Sequence, residues 1–149
     1  MKNREYSILG VIAIVVMVVA LSGCTSTSTS NSNSNQKHYD KNNVSFNYPT
    51  SWSVTEDSII ESSGAPFIKL KTGESEARIW VYPVDKSTVE YGNFPVTETV
   101  GNVTYKKMPA EVGSSLVSYV IRKDGKDFFM IGATEDEVGH KMILESATF

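Results

Sequence analysis

The sequence is poor in the residues from which metal and redox sites are built. It contains one cysteine, Cys24, and two histidines, His38 and His140, among 149 residues. A single cysteine excludes an internal disulfide, and two separate histidines do not provide the clustered ligands that a metal site needs. A Gly-rich phosphate loop and a Gly-x-Ser-x-Gly motif are also missing from the sequence. We therefore expect no metal, no cofactor and no catalytic residues, and the protein is not expected to be an enzyme.

Positive charge is also scarce. The chain has 14 Lys and Arg residues against 17 Asp and Glu residues, which gives a formal net charge of −3. It shows no basic stripe and no polybasic cluster, so nucleic acid is not an expected partner.

Long apolar runs are almost absent, and the clearest one lies near the amino terminus. It is ILGVIAIVVMVVAL, from Ile8 to Leu21, and it follows the basic residues Lys2 and Arg4. The run is shorter than the about 20 residues that a membrane-spanning helix needs, and it falls within the about 7–15 residues of a signal-peptide core. The pattern therefore favours a signal peptide.

The tetrapeptide Leu-Ser-Gly-Cys at residues 21–24 follows this run directly and resembles the lipobox of secreted lipoproteins. The resemblance implies a signal peptide at residues 1–23 and a lipid on the sulfur of Cys24, which becomes the mature amino terminus. The expected location is the cell membrane, with a lipid anchor on its extracytoplasmic face. The alternative is an uncleaved amino-terminal anchor helix with an incidental cysteine. In both cases the rest of the chain lies outside a membrane.

Composition divides the remaining chain into a tether and a domain. Residues 25–36, TSTSTSNSNSNQ, contain no apolar side chain. Such a segment cannot bury enough surface to offset the entropy lost on ordering, so residues 24–36 are expected to form a flexible tether. Residues 37–149 are enough for one compact domain, which has to depend on its hydrophobic core because it has no disulfide.

Alternating apolar residues and two-residue turns predict a fold made mostly of strands. Strands are expected in VSFNYP (44–49), from Trp52 onward, at SII (58–60), in FIKLK (67–71) and in ARIWVYPV (77–84), and the last two should pair as a hairpin. Further hairpins are predicted around Gly101-Asn102 and Asp124-Gly125. The Asp124-Gly125 hairpin is apolar on both faces, which predicts a central position covered on both sides.

Two short helices are predicted. Residues 87–90 have the spacing of a capping box, but Gly92 and Pro95 limit that helix to about a turn and a half. Residues 134–137 have the same spacing and should start a helix of about two turns, followed by a last strand at ESATF (145–149). The fold class is therefore α+β, an antiparallel β-sheet with few short helices.

The stretch VSFNYPTSW, residues 44–52, contains the pattern F-x-Y-P-x-x-W and resembles the start of PsbP-like domains. This family is named after an extrinsic subunit of photosystem II and includes non-photosynthetic secreted proteins and lipoproteins. The similarity extends over most of residues 39–149, but the chain departs from the family at residues 85–95, where the family usually has a longer helix. The resemblance implies an antiparallel sheet flanked by helices and a non-catalytic binding or assembly role, and it transfers no functional residue.

Aromatic side chains are the candidates for ligand contact. The set comprises Trp52, Trp80, Tyr82, Tyr91 and Phe94. The strand patterns around the two tryptophans favour packing in the core, and Trp52 in particular is expected to be buried. The ligand-contact alternative retains Trp80, Tyr82, Tyr91 and Phe94.

The sequence favours a membrane-anchored module that binds or assembles with an envelope protein, polymer or small ligand. The alternatives are an envelope hydrolase with a site built from loops and a purely structural envelope component. Asn43 and Asn102 begin the sequons Asn-Val-Ser and Asn-Val-Thr and are candidate glycosylation sites.

Overall fold

The computed structural model describes residues 35–149; the predicted signal peptide, Cys24 and the tether up to residue 34 lie outside the described residues. Within residues 35–149 the chain forms nine β-strands, one α-helix and three short 3₁₀ turns. The strands are β1 (Gln36–Lys41), β2 (Val44–Pro49), β3 (Ser53–Ile60), β4 (Ala65–Thr72), β5 (Ser75–Pro83), β6 (Val96–Val100), β7 (Val103–Met108), β8 (Leu116–Lys123) and β9 (Lys126–Ala133). The helix α1 spans Glu137–Ser146, and the 3₁₀ turns span Val84–Lys86, Tyr91–Asn93 and Thr134–Asp136.

Seven of these strands form one antiparallel sheet in the order β3-β4-β5-β9-β8-β7-β6. Strands β1 and β2 pair as a separate antiparallel hairpin, and α1 packs against β2. The described chain is thus mostly antiparallel sheet with one short carboxy-terminal helix, which agrees with the predicted α+β class.

The predicted hairpins are present with tight turns. In the β8–β9 hairpin, Arg122 faces Asp127 and Lys123 faces Lys126, as predicted from the two-residue loop. Asp124 and Gly125 both adopt positive φ, of 51° and 74°. This is the turn type whose twist matches that of the flanking strands.

One face of the large sheet, called here the inner face, carries the main core. The β1–β2 hairpin, Trp52 and α1 cover it, and their side chains form one cluster with the sheet. Phe46, Tyr48 and Trp52 of the F-x-Y-P-x-x-W pattern are all buried there, with Trp52 only 6% exposed. Burial of Trp52 in the core is therefore confirmed, and packing alone accounts for the aromatic residues of this pattern.

Strand β1 is absent from the sequence-based prediction. It begins at Gln36, one residue before the predicted domain boundary, and includes His38, which hydrogen-bonds with the side chain of Asn47 at 2.8 Å. Only Tyr39 of this strand is buried. The strand exists because it pairs with β2, and its own alternation is too weak to indicate it. Residues 58–60, predicted as a separate short strand, are the end of β3.

The helix predicted from residues 87–90 is wrong. These residues connect two 3₁₀ turns, and the hydroxyl of Ser87 accepts a hydrogen bond from the backbone N–H of Val89. Phe94 is 8% exposed and packs edge-on against Phe129, so burial of its ring favours an extended connection over a helix.

The carboxy-terminal prediction is wrong in its details. The helix begins at Glu137, after a 3₁₀ turn, and no side chain caps it, because the carboxylate of Asp136 accepts a hydrogen bond from Thr72. It continues to Ser146, so most of the predicted last strand is helix or irregular, and only Thr148 pairs, with Ser45. Burial of Ile143 and Leu144 favours the longer helix over the strand.

The prediction that both faces of the β8–β9 hairpin are covered is only partly correct. The pair is central, because β9 is the fourth of seven strands. The second face of the sheet, called here the outer face, is covered in part by the segment 84–95. Leu116, predicted to be covered, is 53% exposed.

Candidate functional site

Aromatic side chains form a row across the outer face. Strand register places Phe67 of β4 beside Trp80 of β5, and Trp80 beside Phe129 of β9. The ring centroids are 5.2 Å apart for the first pair and 5.6 Å apart for the second, with interplanar angles of 36° and 29°. Cross-strand aromatic pairs of this kind stabilise a sheet by roughly 0.2–1 kcal/mol each.

The segment 84–95 closes one end of this row. Phe94 meets Phe129 edge to face at 6.2 Å. The ring of Tyr91 lies 4.7 Å from the ammonium of Lys106 and 4.6 Å from the guanidinium carbon of Arg122. Such cation–π contacts contribute about 0.5–1 kcal/mol at exposed sites, so they hold this segment onto the sheet.

The structure places three of the four candidate ligand-contact aromatics, Trp80, Tyr91 and Phe94, in or beside this row. The fourth, Tyr82, lies on the same face opposite Asp127, and burial raises the pKa of its hydroxyl. Phe94 is buried and serves packing, whereas the other three are partly exposed.

Phe67 and Phe129 belong to the row and were missed in the sequence-based prediction. Counting outward from the Gly73-Glu74 turn of the predicted β4–β5 hairpin pairs Phe67 with Trp80, as observed. The same count from Asp124-Gly125 places Phe129 opposite Val120. Register, rather than residue type alone, is the signal that could have identified them.

The other end of the row is open. Phe67 has Ser58 of β3 as its partner, so the row of rings stops there. An open groove of about 450 Å³ lies at this point, and its lining includes Phe67, Trp80, Ser58, Glu56, Lys69 and Arg78. A β-bulge between Val54 and Glu56 sets the register that brings Ser58 to this face.

The charged side chains at the groove occur as pairs. The Nζ atom of Lys69 lies 3.3 Å from a carboxylate oxygen of Glu56, and the guanidinium of Arg78 lies 3.1 Å from the carboxylate of Glu76. All four side chains are partly exposed, so the pairs contribute little to stability. Their formal charges cancel.

Next to the inner core lies a cluster of buried polar groups. His140 is fully buried, and its ring lies 5.8 Å from that of Trp52 and 5.4 Å from that of Tyr119. Within the described chain, the two ring nitrogens of His140 and the hydroxyl of Tyr119 have no hydrogen-bond partner. Burial lowers the pKa of His140 to about 4, despite the opposing carboxylates of Asp136 and Glu137.

Next to these rings, Tyr105 donates a hydrogen bond to Glu98 at 2.6 Å, and Lys107 pairs with both Glu98 and Glu137. Burial, reinforced by nearby carboxylates, raises the pKa values of Tyr105 and Tyr119. His140 and the two tyrosines are enclosed in the core, where a substrate has no access. The cluster therefore acts in packing.

The carboxylates of residues 135–137 are engaged by neighbouring side chains. Glu135 accepts a hydrogen bond from Ser75, and Glu137 pairs with Lys107 and Lys141. Among residues 35–149, no group of three His, Cys, Asp or Glu side chains could hold a metal ion. None of the helices described is long and apolar enough to cross a membrane.

Both candidate glycosylation sites lie at exposed turns. Asn43 lies in the β1–β2 turn with a φ of 58° and lines a separate cavity of about 360 Å³. Asn102 lies in the β6–β7 turn. The candidate lipidation site, Cys24, lies outside the described residues.

A scan against protein-family models finds no match to this chain, and a search of curated proteins finds no significant match.

Proposed function

We propose that this chain is a lipid-anchored, extracytoplasmic lipoprotein whose PsbP-like domain is a non-catalytic binding or assembly module. The observation that carries the binding role is the aromatic row on the outer face, which ends at Phe67 in an open groove. Partly exposed aromatic rings supply large contact area at low conformational cost, and such residues dominate the energetics of recognition surfaces.

The lipid anchor rests on the sequence of residues 1–24, with its basic start, its 14-residue apolar run and the Leu-Ser-Gly-Cys tetrapeptide. The described domain begins with β1 at Gln36. Only about a dozen residues therefore separate Cys24 from the fold, and a lipid on Cys24 would hold the domain close to the membrane.

The PsbP-like assignment rests on the F-x-Y-P-x-x-W pattern of residues 46–52 and on the order of the elements that follow. The antiparallel sheet is compatible with the architecture that the resemblance implies, but the described chain has one short closing helix instead of helices that flank the sheet. The chain departs from the family at residues 85–95, and in this region the structure has two 3₁₀ turns, Val84–Lys86 and Tyr91–Asn93, instead of a longer helix.

The anchor is tested by expressing the wild type and Cys24→Ser in the native host and comparing membrane fractions and intact masses. We expect the wild type in the membrane fraction, with Cys24 as the first residue and carrying the mass of a diacylglyceryl group. Cys24→Ser should lose that mass. Wild-type protein in the soluble fraction with an unmodified cysteine would contradict the anchor.

The binding role is tested by cross-linking in intact cells, with a photoreactive residue introduced at one position at a time. Lys71 is exposed and lies on the outer face beside the groove, whereas Asn102 is exposed at a hairpin tip. We expect capture of an envelope component at position 71 and none at position 102. Equal capture at both positions, or none at either, would contradict a binding role for the outer face. A purely structural component would give such a result.

A further inference from the structure

The groove next to Phe67 has the shape of an open site for a polymer. It lies beside the edge strand β3, whose residues Ser58 and Ile60 line it together with Phe67 and Trp80. Its volume of about 450 Å³ falls within the about 300–1,000 Å³ typical of small-molecule sites. Since the groove is open rather than enclosed, it suits one unit of a longer chain better than a free small molecule.

The lining of this groove combines an apolar surface with a polar border. Phe67, at the end of the row, supplies a π-system whose face is negative and attracts polarised C–H groups, whereas Trp80 is stacked on Phe129 and tilted against Phe67. Lys69 and Arg78 supply N–H donors, Glu56 supplies carboxylate acceptors, and the hydroxyl of Ser58 can both donate and accept a hydrogen bond. A pyranose ring matches this combination, because its axial C–H groups form an apolar face and its hydroxyls project from the edge.

The charged side chains at the groove already have partners. Lys69 is paired with Glu56, and Arg78 with Glu76, so the four charges sum to zero. An uncharged polyol can hydrogen-bond to both pairs as they stand. Lys71 and Glu76 both lie outside the lining, whose charged residues are Glu56, Lys69 and Arg78.

We propose that the groove at Phe67 and Trp80 binds an uncharged glycan, with one pyranose unit against the ring of Phe67 and its hydroxyls on the paired charges. The proposal rests on the proposed function, because it takes the outer face to be the binding surface, and it assigns the chemical class of the ligand.

Titration of the full-length protein in detergent tests this assignment. The probes are cello-oligosaccharides, oligomers of N-acetylglucosamine and dextran as neutral glycans, with polyphosphate as the anionic comparison. Affinity is measured by calorimetry and by tryptophan fluorescence, in which Trp80 reports the groove because Trp52 is buried in the inner core. We expect at least one neutral glycan to bind and to change the emission. Its affinity should be the same in 0.05 M and 0.5 M salt, because an uncharged ligand is not screened.

Two matched variants localise the binding. Ser58→Phe extends the row of rings into the groove without removing a core side chain and should weaken glycan binding at least tenfold. Thr99→Phe introduces the same ring on the opposite edge strand, β6, and should leave affinity unchanged. Circular dichroism and the denaturation midpoint confirm that both variants are folded. Should Ser58→Phe fail to fold, Ser58→Leu serves as the blocking variant.

Three results would overturn the assignment: no binding of any neutral glycan in the panel, equal binding by Ser58→Phe, or salt-sensitive binding of polyphosphate alone. These results are distinguishable from failure of the proposed function. Cross-linking at Lys71 would still capture a partner if only the glycan assignment is wrong, and would capture nothing if the outer face binds nothing.

Discussion

The buried imidazole of His140 should make the domain sensitive to acid. Its ring is enclosed between those of Trp52 and Tyr119, and a Cβ on Gly132 would lie only 2.1 Å from its Nε2 atom. Because neither nitrogen has a hydrogen-bond partner in the described chain, a proton added to this ring would place an unsatisfied charge in the core. Desolvation therefore lowers the pKa of His140 from 6.5 to about 4 in the folded state.

The direction of the pH effect follows from this lowered pKa. Between about pH 6.5 and pH 4 the unfolded chain binds a proton at His140 that the folded chain does not. The free energy of unfolding should thus be highest above pH 6.5 and decline as the pH falls towards 4. Below pH 4, His140 should cause no further loss of stability. At about 1.4 kcal/mol per pKa unit, the total loss is roughly 3 kcal/mol. That is a large share of the about 5–15 kcal/mol that stabilises a domain of this size.

Urea denaturation between pH 7.5 and pH 4, followed by tryptophan fluorescence, measures this loss. Other groups also titrate in this range, so the informative quantity is the difference between the wild type and His140→Gln, which keeps a buried polar side chain but cannot be protonated. The control is His38→Gln, which removes an exposed imidazole outside the core. If His140→Gln loses stability with falling pH as steeply as the wild type, the reasoning is refuted.

Two further substitutions and one control test the packing and the β8–β9 register by urea denaturation. Gly139→Ala should lower the free energy of unfolding by about 1–3 kcal/mol, because its Cβ would lie 2.3 Å from a ring carbon of Trp52. Gly92→Ala, whose Cβ meets no atom within 4 Å, should cost far less, and equal losses would contradict the packing. Asp127→Asn should cost about 1–3 kcal/mol, because the fully buried carboxylate of Asp127 accepts two 2.7 Å hydrogen bonds from Arg122. An unchanged midpoint would show that this pair is not formed.

The strands could be predicted from the sequence where two local signals agree. In β8–β9 the apolar alternation and the Asp124-Gly125 turn both indicate the same register, and the observed pairing follows it. Strand β1 has only one buried side chain, and the turn that follows it consists of two asparagines. Neither the apolar alternation nor the turn was therefore strong enough to predict this strand. Its pairing with β2 is decided by contacts that its own residues do not indicate.

The helices were predicted less well because tertiary packing overrides local spacing. Residues 87–90 have the spacing of a capping box, yet the ring of Phe94 is buried when the connection is extended. In α1, the interior Gly139 indicated a short helix, but the indole of Trp52 occupies the space that a side chain there would need. Gly139, which the sequence suggests as a helix breaker, is thus required for packing against Trp52.

The candidate groove is bordered by Ser58, whose place on the outer face does not follow from the alternation of side chains along β3. Val54 pairs with Leu70, and an uninterrupted register would place Asp57 beside Phe67. The bulge inserts one residue between Val54 and Glu56, so Ser58 takes that place on the outer face.

Asp57 consequently turns to the other side of β3. There its carboxylate accepts a hydrogen bond from the hydroxyl of Tyr39 at 2.9 Å and pairs with Lys41 at 3.0 Å. The bulge therefore leaves a small hydroxyl, instead of a carboxylate, at the end of the aromatic row. A one-residue insertion thus decides which side chain of β3 borders the groove.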